Sequence, residues 1–389
     1  MIVLIRVAFV VVGALLLVLA HLYLRRRLLR DTALPHIWRR AGTAALVGLA
    51  AAVPGAWVAA RLFQSSGVVV YAAFVWIGLL FYLCLLLGAW DAGRHAVRGM
   101  NKLRGIVAPP DDPGRRAFLA RAVAGTAFGA STAIGAVGLR NALGDITTPE
   151  VEVKLDRLPR RLSGLTIAQL SDVHIGPILD GRFLEHLVEQ TNAMKPDLVV
   201  ITGDLVDGSV EGLGPAIATL GNLRSRYGTF FCTGNHEYYS GADDWNAFLG
   251  KIGIRVLMNE RVSIGDKGAS FDLAGIPDPQ GAFFSEDHRA SLSMALDGRD
   301  EEREVVLLAH RPSQVDNAAA RRVGLQLSGH THGGQLWPFG QLARLSEPYL
   351  SGLHRHGDLT QVYVSRGTGF WGPPMRVMAP AEIARIVLT

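Results

Sequence analysis

The stretch LTIAQLSDVH, residues 165–174, decides how the rest of this chain is read. An apolar run of strand length stops abruptly at Ser171-Asp172-Val173-His174. Four later runs stop the same way: DLVVITGDLVD (197–207), TFFCTGNHE (229–237), EVVLLAH (304–310) and GLQLSGHTHGGQ (324–335). From Val151 onward such runs alternate with helix-like segments, which predicts an α/β domain over 151–389. In open α/β sheets ligands bind beyond the carboxyl ends of strands. Here the strand ends offer Asp172, His174, Asp204, Asn235, His310, His330 and His332. Oxygen and imidazole donors without thiolate suit two divalent cations, and Mn²⁺, Fe and Zn²⁺ fit alike. Side chains two apart on an extended strand point the same way, so the Asp172/His174 pair and the His330/His332 pair are each expected to reach one metal. Glycines before Asp204, Asn235 and His330 allow sharp turns and close backbone approach.

The first third has a different character. Charge-free runs cover Val7–Leu24, Ala41–Ala60 and Val68–Trp90, with a weaker, Gly- and Ala-rich run at Ala122–Leu139. About 20 apolar residues cross a bilayer core. Residues 1–140 are therefore expected to be a membrane region of three to four helices (about 2–24, 41–60, 68–90 and 117–139), with 141–150 as a linker. Arginines crowd the first connection (Arg25, Arg26, Arg27, Arg30, Arg39, Arg40) and the third (Arg94, Arg98, Arg104, Arg115, Arg116, with Lys102), against Arg61 alone in the second and Arg6 at the N-terminus. Positive loops stay inside, which, with the fourth run as a span, places the domain after residue 140 on the outer side. Arg115-Arg116 before the fourth run reads equally as a twin-arginine export signal or as two more inside charges.

Net charge follows the same division. Residues 1–150 carry 16 Lys+Arg and 6 Asp+Glu, and residues 151–389 carry 23 and 28. The basic charge belongs to the membrane third, so no nucleic-acid partner is expected. Cys84 and Cys232 sit in unrelated runs and are not expected to pair.

Taken in order, Asp-x-His, Gly-Asp-x-x-Asp, Gly-Asn-His-Glu, a lone His after a strand and Gly-His-x-His resemble the calcineurin-like metallophosphoesterases. The tail Val364–Phe370 with Arg376 and Pro380-Ala-Glu382 looks like the membrane-attached YkuE/YaeI-like branch. The resemblance covers residues 151–389 and implies a four-layer sandwich of two mixed sheets flanked by helices. It also implies a dinuclear centre, with one metal on Asp172, His174, Asp204 and His332 and the other on Asp204, Asn235, His310 and His330. Asp204 would bridge, and Asp207 would orient a ligand histidine or its loop without binding metal.

The expected chemistry is attack by a metal-bound hydroxide on a phosphate mono- or diester. His236 contacts the phosphate and protonates or stabilises the leaving oxygen, supported by Glu237. Asn235 joins it at the substrate. Arg366, in a glycine-flanked loop, is a candidate substrate contact with an ion pair as its alternative. Phe283, Phe284, Trp337, Phe339, Phe370 and Trp371 are read as local packing or as an apolar rim for an acyl chain or the bilayer. His354 and His356 read as a solvated loop and His186 as surface. The leading expectation is thus a membrane-anchored phosphoesterase, with lipid or cell-envelope phosphoesters as its substrates. The alternatives are a phosphatase or nucleotidase for soluble esters, or a metal-binding outer domain of a transporter or receptor.

Overall fold

The computed structural model describes residues 2–63, 67–106 and 112–389. The side chains of Arg6 and Arg61, two charges used to orient the helices, lie outside the described residues. The chain forms two units, Met1–Leu139 and Arg140–Thr389.

The first unit is helical. It comprises α1 (Ile2–Leu24), α2 (His36–Phe63), α3 (Val68–Leu103) and most of α4 (Pro113–Leu143). Over their described residues α2, α3 and α4 are each long and apolar enough to cross a membrane. The helices run past the charge-free stretches of the sequence. Leu24, Leu46, Leu80, Leu83, Leu87 and Ala127 pack together inside. Leu15, Leu16, Val47, Val69 and Val137 remain largely exposed. Apolar residues on both inner and outer faces are what a helix surrounded by lipid carries. Asp91 binds the foot of α1, accepting from Tyr23 at 2.8 Å and pairing with Arg27 at 3.2 Å.

The second unit contains two six-stranded sheets. The first has β1 (Glu150–Val153), β2 (Leu165–Leu170), β3 (Leu198–Thr202), β4 (Thr229–Cys232), β5 (Arg255–Val256) and β12 (Ala384–Leu388), in the order β1-β12-β2-β3-β4-β5. The second has β6 (Glu260–Asp266), β7 (Ala269–Gly275), β8 (Val305–Leu308), β9 (Leu325–Ser328), β10 (Gly352–His356) and β11 (Thr360–Val364), in the order β10-β11-β9-β8-β7-β6. Both are mixed. β2, β3 and β4 run parallel, as do β7, β8 and β9, while β12 lies antiparallel to β2 and β6 to β7.

Alternation along each strand builds the layers. Ile167, Val200 and Phe230 meet Leu273, Val306 and Leu327 between the sheets. Ala168, Leu170, Val199 and Ile201 face outward against helices α5 (Gly181–Ala193), α6 (Val210–Ile217) and α8 (Ala242–Lys251), through Leu184, Ile217 and Trp245, and α7 (Asn235–Ser240) precedes α8. Ala274, Val305 and Leu307 pack under the second sheet's own short helix. Strands covered on both faces favour apolar runs, and β2, β3, β4, β8 and β9 carry no charged residue; the buried Gln169 and Gln326 in them are hydrogen-bonded to Thr202 and Ser328. This is the expected four-layer sandwich.

The stretch 141–150 is not a free linker. Ala142 and Ile146 are buried in the core of this unit, and Thr147 bonds to Ala381. Burial of two apolar side chains fixes a segment that its mixed composition left looking like a connector. Cys84 and Cys232 are both free thiols.

Candidate metal centre

Because β2, β3 and β4 are parallel in one sheet and β8 and β9 in the other, their carboxyl ends share one edge of the sandwich. Each chain turns sharply there. Asp172, His174, Asp204, His330 and His332 all have φ between 51° and 70°. A left-handed backbone costs an ordinary residue about 1–3 kcal/mol and persists only where the surroundings impose it. Glycines make room for the turns. A Cβ on Gly234 would stand 2.2 Å from Asp204 Oδ1, and one on Gly329 would stand 2.1 Å from Asp172 Oδ2.

The result is two clusters of donor atoms. Asp172, His174 and His332 bring one atom each to within 4.8 Å of one another, and so do Asp204, His310 and His330. His174 Nε2 is 3.1 Å from His332 Nε2, and His332 Nε2 is 3.4 Å from Asp172 Oδ1. In the other cluster, His310 Nε2 is 3.2 Å from both Asp204 Oδ2 and His330 Nδ1. Asp204 Oδ2 also lies 3.8 Å from His174 Nε2, so this carboxylate stands between the clusters.

His330 and His332 thus serve different clusters. The expectation that alternation would aim both at one point fails, because His330 and His332 themselves have left-handed backbone and do not continue the extended strand. Asp172 and His174 do share a cluster, again from left-handed backbone.

Hydrogen bonds fix the tautomers. His310 Nδ1–H donates to Thr202 O at 2.8 Å, and His174 Nδ1–H donates to Asp207 at 3.1 Å. In the neutral imidazole each Nε2 then has its lone pair toward the cluster, as metal-binding imidazoles require. Asp207 also accepts from His236 Nδ1–H, so one carboxylate orients two histidines. A third cluster, His174, Asp207 and His236, follows from that sharing.

Electrostatics differ between the two acids. Burial pushes both carboxyls up. At Asp172 it prevails, whereas at Asp204 the neighbouring His310 and His236 outweigh it and hold the carboxyl well below the usual range. Burial would lower His310, but Asp204 raises it to about 10; likewise Asp204 and Asp207 raise His236 to about 9 against burial. Burial, then His310 beside one and His174 beside the other, lower His330 and His332, so both stay neutral with a lone pair available.

Asn235 opens α7 and is 7% exposed, and its Oδ1 has no hydrogen-bond partner among the described residues. The next residue's N–H donates to Asp204 Oδ1 at 2.8 Å. The His236 ring lies beside Tyr239 and Trp371, at 5.3 and 5.9 Å between centroids.

Some residues depart from expectation. Glu237 does not support His236. Its carboxylate accepts from the backbone N–H groups of Asp204 (3.0 Å), Leu205 (2.7 Å) and Gly234 (2.6 Å), and so clamps the β3 turn to the start of α7. Arg366 pairs with Glu382 at 2.5 Å, the ion-pair alternative, because Glu382 also holds its N–H and the Tyr363 hydroxyl. His354 and His356 lie in β10, engaged with Tyr349 and Asp316, and not in a loop. Phe370 is core, while Trp371, Phe283 and Phe284 are exposed and His186 is at the surface.

Sequence reasoning places Arg376 in the tail pattern but gives it no role. Arg376 is fully buried, and its guanidinium donates to the carbonyls of Gly369 (Nε, 2.8 Å), Arg366 (Nη1, 2.8 Å) and Ala379 (Nη1, 2.9 Å). It thereby straps the 366–369 segment beside His332. A single Arg between Met375 and Val377 gives no pattern from which this could be read.

The family model for calcineurin-like phosphoesterases matches residues 165–334. A Bos taurus transmembrane protein with metallophosphoesterase domain is 37% identical over 328 residues, covering 80% of this chain and 70% of its own. An uncharacterized metallophosphoesterase of Helicobacter pylori is 40% identical over 243 residues, 61% of this chain and 63% of its own. The uncharacterized metallophosphoesterase YkuE of Bacillus subtilis is 30% identical over 291 residues, 70% of this chain and 97% of its own. The chain spans less than two thirds of the Helicobacter relative's length.

Proposed function

The chain belongs to the calcineurin-like metallophosphoesterase family, and from that premise we propose that it is a membrane-anchored hydrolase of phosphate mono- or diesters using two divalent cations. The observation that carries this reading is the pair of donor clusters joined at Asp204. The residues fit such cations by their own chemistry. The donors are carboxylate, amide and imidazole, and the buried Asn235 Oδ1 has no hydrogen-bond partner among the described residues. A buried amide oxygen without a partner costs about 1–3 kcal/mol unless something else satisfies it.

Asp172, His174, Asp204 and His332 would hold one cation, and Asp204, Asn235, His310 and His330 the other. Mn²⁺, Fe and Zn²⁺ remain alike in suitability. Bound there, the cations would supply Lewis-acid charge for the phosphoryl oxygens and lower the pKa of coordinated water.

The chain's own side chains do the remaining work. His236 donates its Nδ1 proton to Asp207, so Nε2 is left to contact a phosphoryl oxygen or to pass a proton to the leaving oxygen. Tyr239 and Trp371 wall that ring and limit water around it. Glu237 keeps Asp204 and α7 in register. Residues 1–140 act as a multi-pass anchor, and the arginine bias of its connections supports an outer-side catalytic domain. A site tethered near a bilayer meets membrane phosphoesters at high effective concentration.

His236→Ala is the test. Positioned acid–base groups contribute about 10²–10⁴-fold, so kcat on a chromogenic phosphodiester should fall at least about 10²-fold with metal content unchanged. Full turnover in His236→Ala would remove it from the mechanism.

A further inference from the structure

Two loops beside the site carry an apolar surface that extends beyond the side chains placed at the His236 ring. Trp337, Phe339, Leu342 and Leu345 follow Gln335, and Trp371 and Met378 follow Phe370; these six side chains are 51–85% exposed. Single exposed apolar residues are ordinary, but a contiguous set marks an interaction surface. The loops are fastened to each other. Trp337 N–H donates to Val377 O at 3.2 Å and Val377 N–H to Gln335 O at 2.8 Å. The Gln335 amide donates to Trp371 O at 2.8 Å and accepts from Trp371 N–H at 3.0 Å. Trp371 in turn stands against the His236 ring, so the surface borders the mouth of the site.

Chain connectivity identifies what meets it. α4 is one uninterrupted helix whose apolar run ends at Leu139, before Arg140 and Asn141. Asn141 Nδ2 donates to Arg376 O at 3.1 Å, two residues from Met378. If α4 crosses the bilayer, its polar end marks the interface, and the 370–378 loop is tied to that end. Tryptophan is at home in this interfacial layer, and an apolar face seated at the headgroup boundary gains binding energy in proportion to its buried area.

We infer that the 337–345 and 371–378 loops seat in the headgroup layer of the bilayer that α4 crosses, so that the site opens toward membrane-embedded phosphoesters. The inference rests on the phosphoesterase reading and on α4 as a span. Its test uses the full chain in phosphatidylcholine–phosphatidylglycerol liposomes. Nitroxide labels are placed by Leu342→Cys or Met378→Cys, with Lys267→Cys on the β6–β7 turn as the aqueous control, all with Cys84→Ser and Cys232→Ser. The labels at 342 and 378 should be relaxed more by oxygen than by a nickel chelate, and the label at 267 the reverse. Equal nickel access at all three positions overturns the inference.

Leu342→Ser combined with Leu345→Ser provides a second readout that leaves the core untouched. Hydrolysis of a long-chain nitrophenyl phosphodiester held in the liposomes should fall about tenfold, while hydrolysis of water-soluble bis(p-nitrophenyl) phosphate should hold. Loss on both esters, or on neither, overturns the inference. Absence of any hydrolysis by the unaltered chain would instead sink the phosphoesterase reading.

Discussion

Asp204→Ala should release bound metal and reduce phosphoester hydrolysis about 10³-fold, the equivalent of about 4 kcal/mol of metal-derived stabilisation. No other residue joins so many parts of the site. Its Oδ1 accepts from His236 N–H at 2.8 Å, and its Oδ2 lies 3.2 Å from His310 Nε2 and 3.8 Å from His174 Nε2. Its own N–H is held by Glu237 at 3.0 Å. Removing the carboxylate takes the shared ligand from both clusters and leaves four imidazoles with one remaining acid, Asp172. Asp204→Asn keeps the shape and removes the charge, and should lose nearly as much. Metal content measured beside kcat/KM on bis(p-nitrophenyl) phosphate checks this. An Asp204→Ala protein that retains its metal and its rate would displace Asp204 from the centre.

Arg376→Met should destabilise the second unit by about 4 kcal/mol. Its guanidinium satisfies the carbonyls of Gly369, Arg366, Ala379 and, at 3.2 Å, Gly367, and it lies 3.4 Å from His332 Nδ1. Burial lowers its pKa to about 10 against the pull of Asp172 and Glu382, so it stays charged at neutral pH. A buried charge carries a desolvation cost, which the substitution recovers. Gly367 O keeps the Glu382 N–H at 3.0 Å, and the three orphaned carbonyls of Gly369, Arg366 and Ala379, at about 1–3 kcal/mol each, outweigh it. For a unit of this size that loss lowers Tm by about 8–16 °C. Calorimetry of the full chain in detergent reads it directly. A Tm within about 2 °C of the parent would show that the strap is dispensable.

The fold was legible because of a physical coincidence between burial and chemistry. Strands covered on both faces exclude charge, so a charged or imidazole side chain appears only where the strand stops. Asp172, Asp204, Asn235, His310 and His330 announce themselves for that reason. Their local geometry was not legible. An extended-strand argument aimed His330 and His332 at one point, whereas the left-handed turns send them to different clusters. Backbone partners were equally hidden. Glu237 reads as a neighbour of His236, yet it binds amide hydrogens of the β3 turn that no side-chain pattern reveals. Phe370 and Trp371 are adjacent and similar in sequence, but one fills the core and the other borders the site. Ala142 and Ile146 show the same limit, since two small apolar contacts were enough to dock an apparent linker.

The account's central claim is that seven side chains from five strand ends hold two cations on which hydrolysis depends. The most direct measurement is calorimetric titration of Mn²⁺ or Zn²⁺ into the chelator-treated full chain, with hydrolysis followed at each addition. The account predicts binding that saturates at two cations per chain and activity that returns with them. A chelated protein that binds none, or that hydrolyses phosphoesters at the untreated rate, would contradict it.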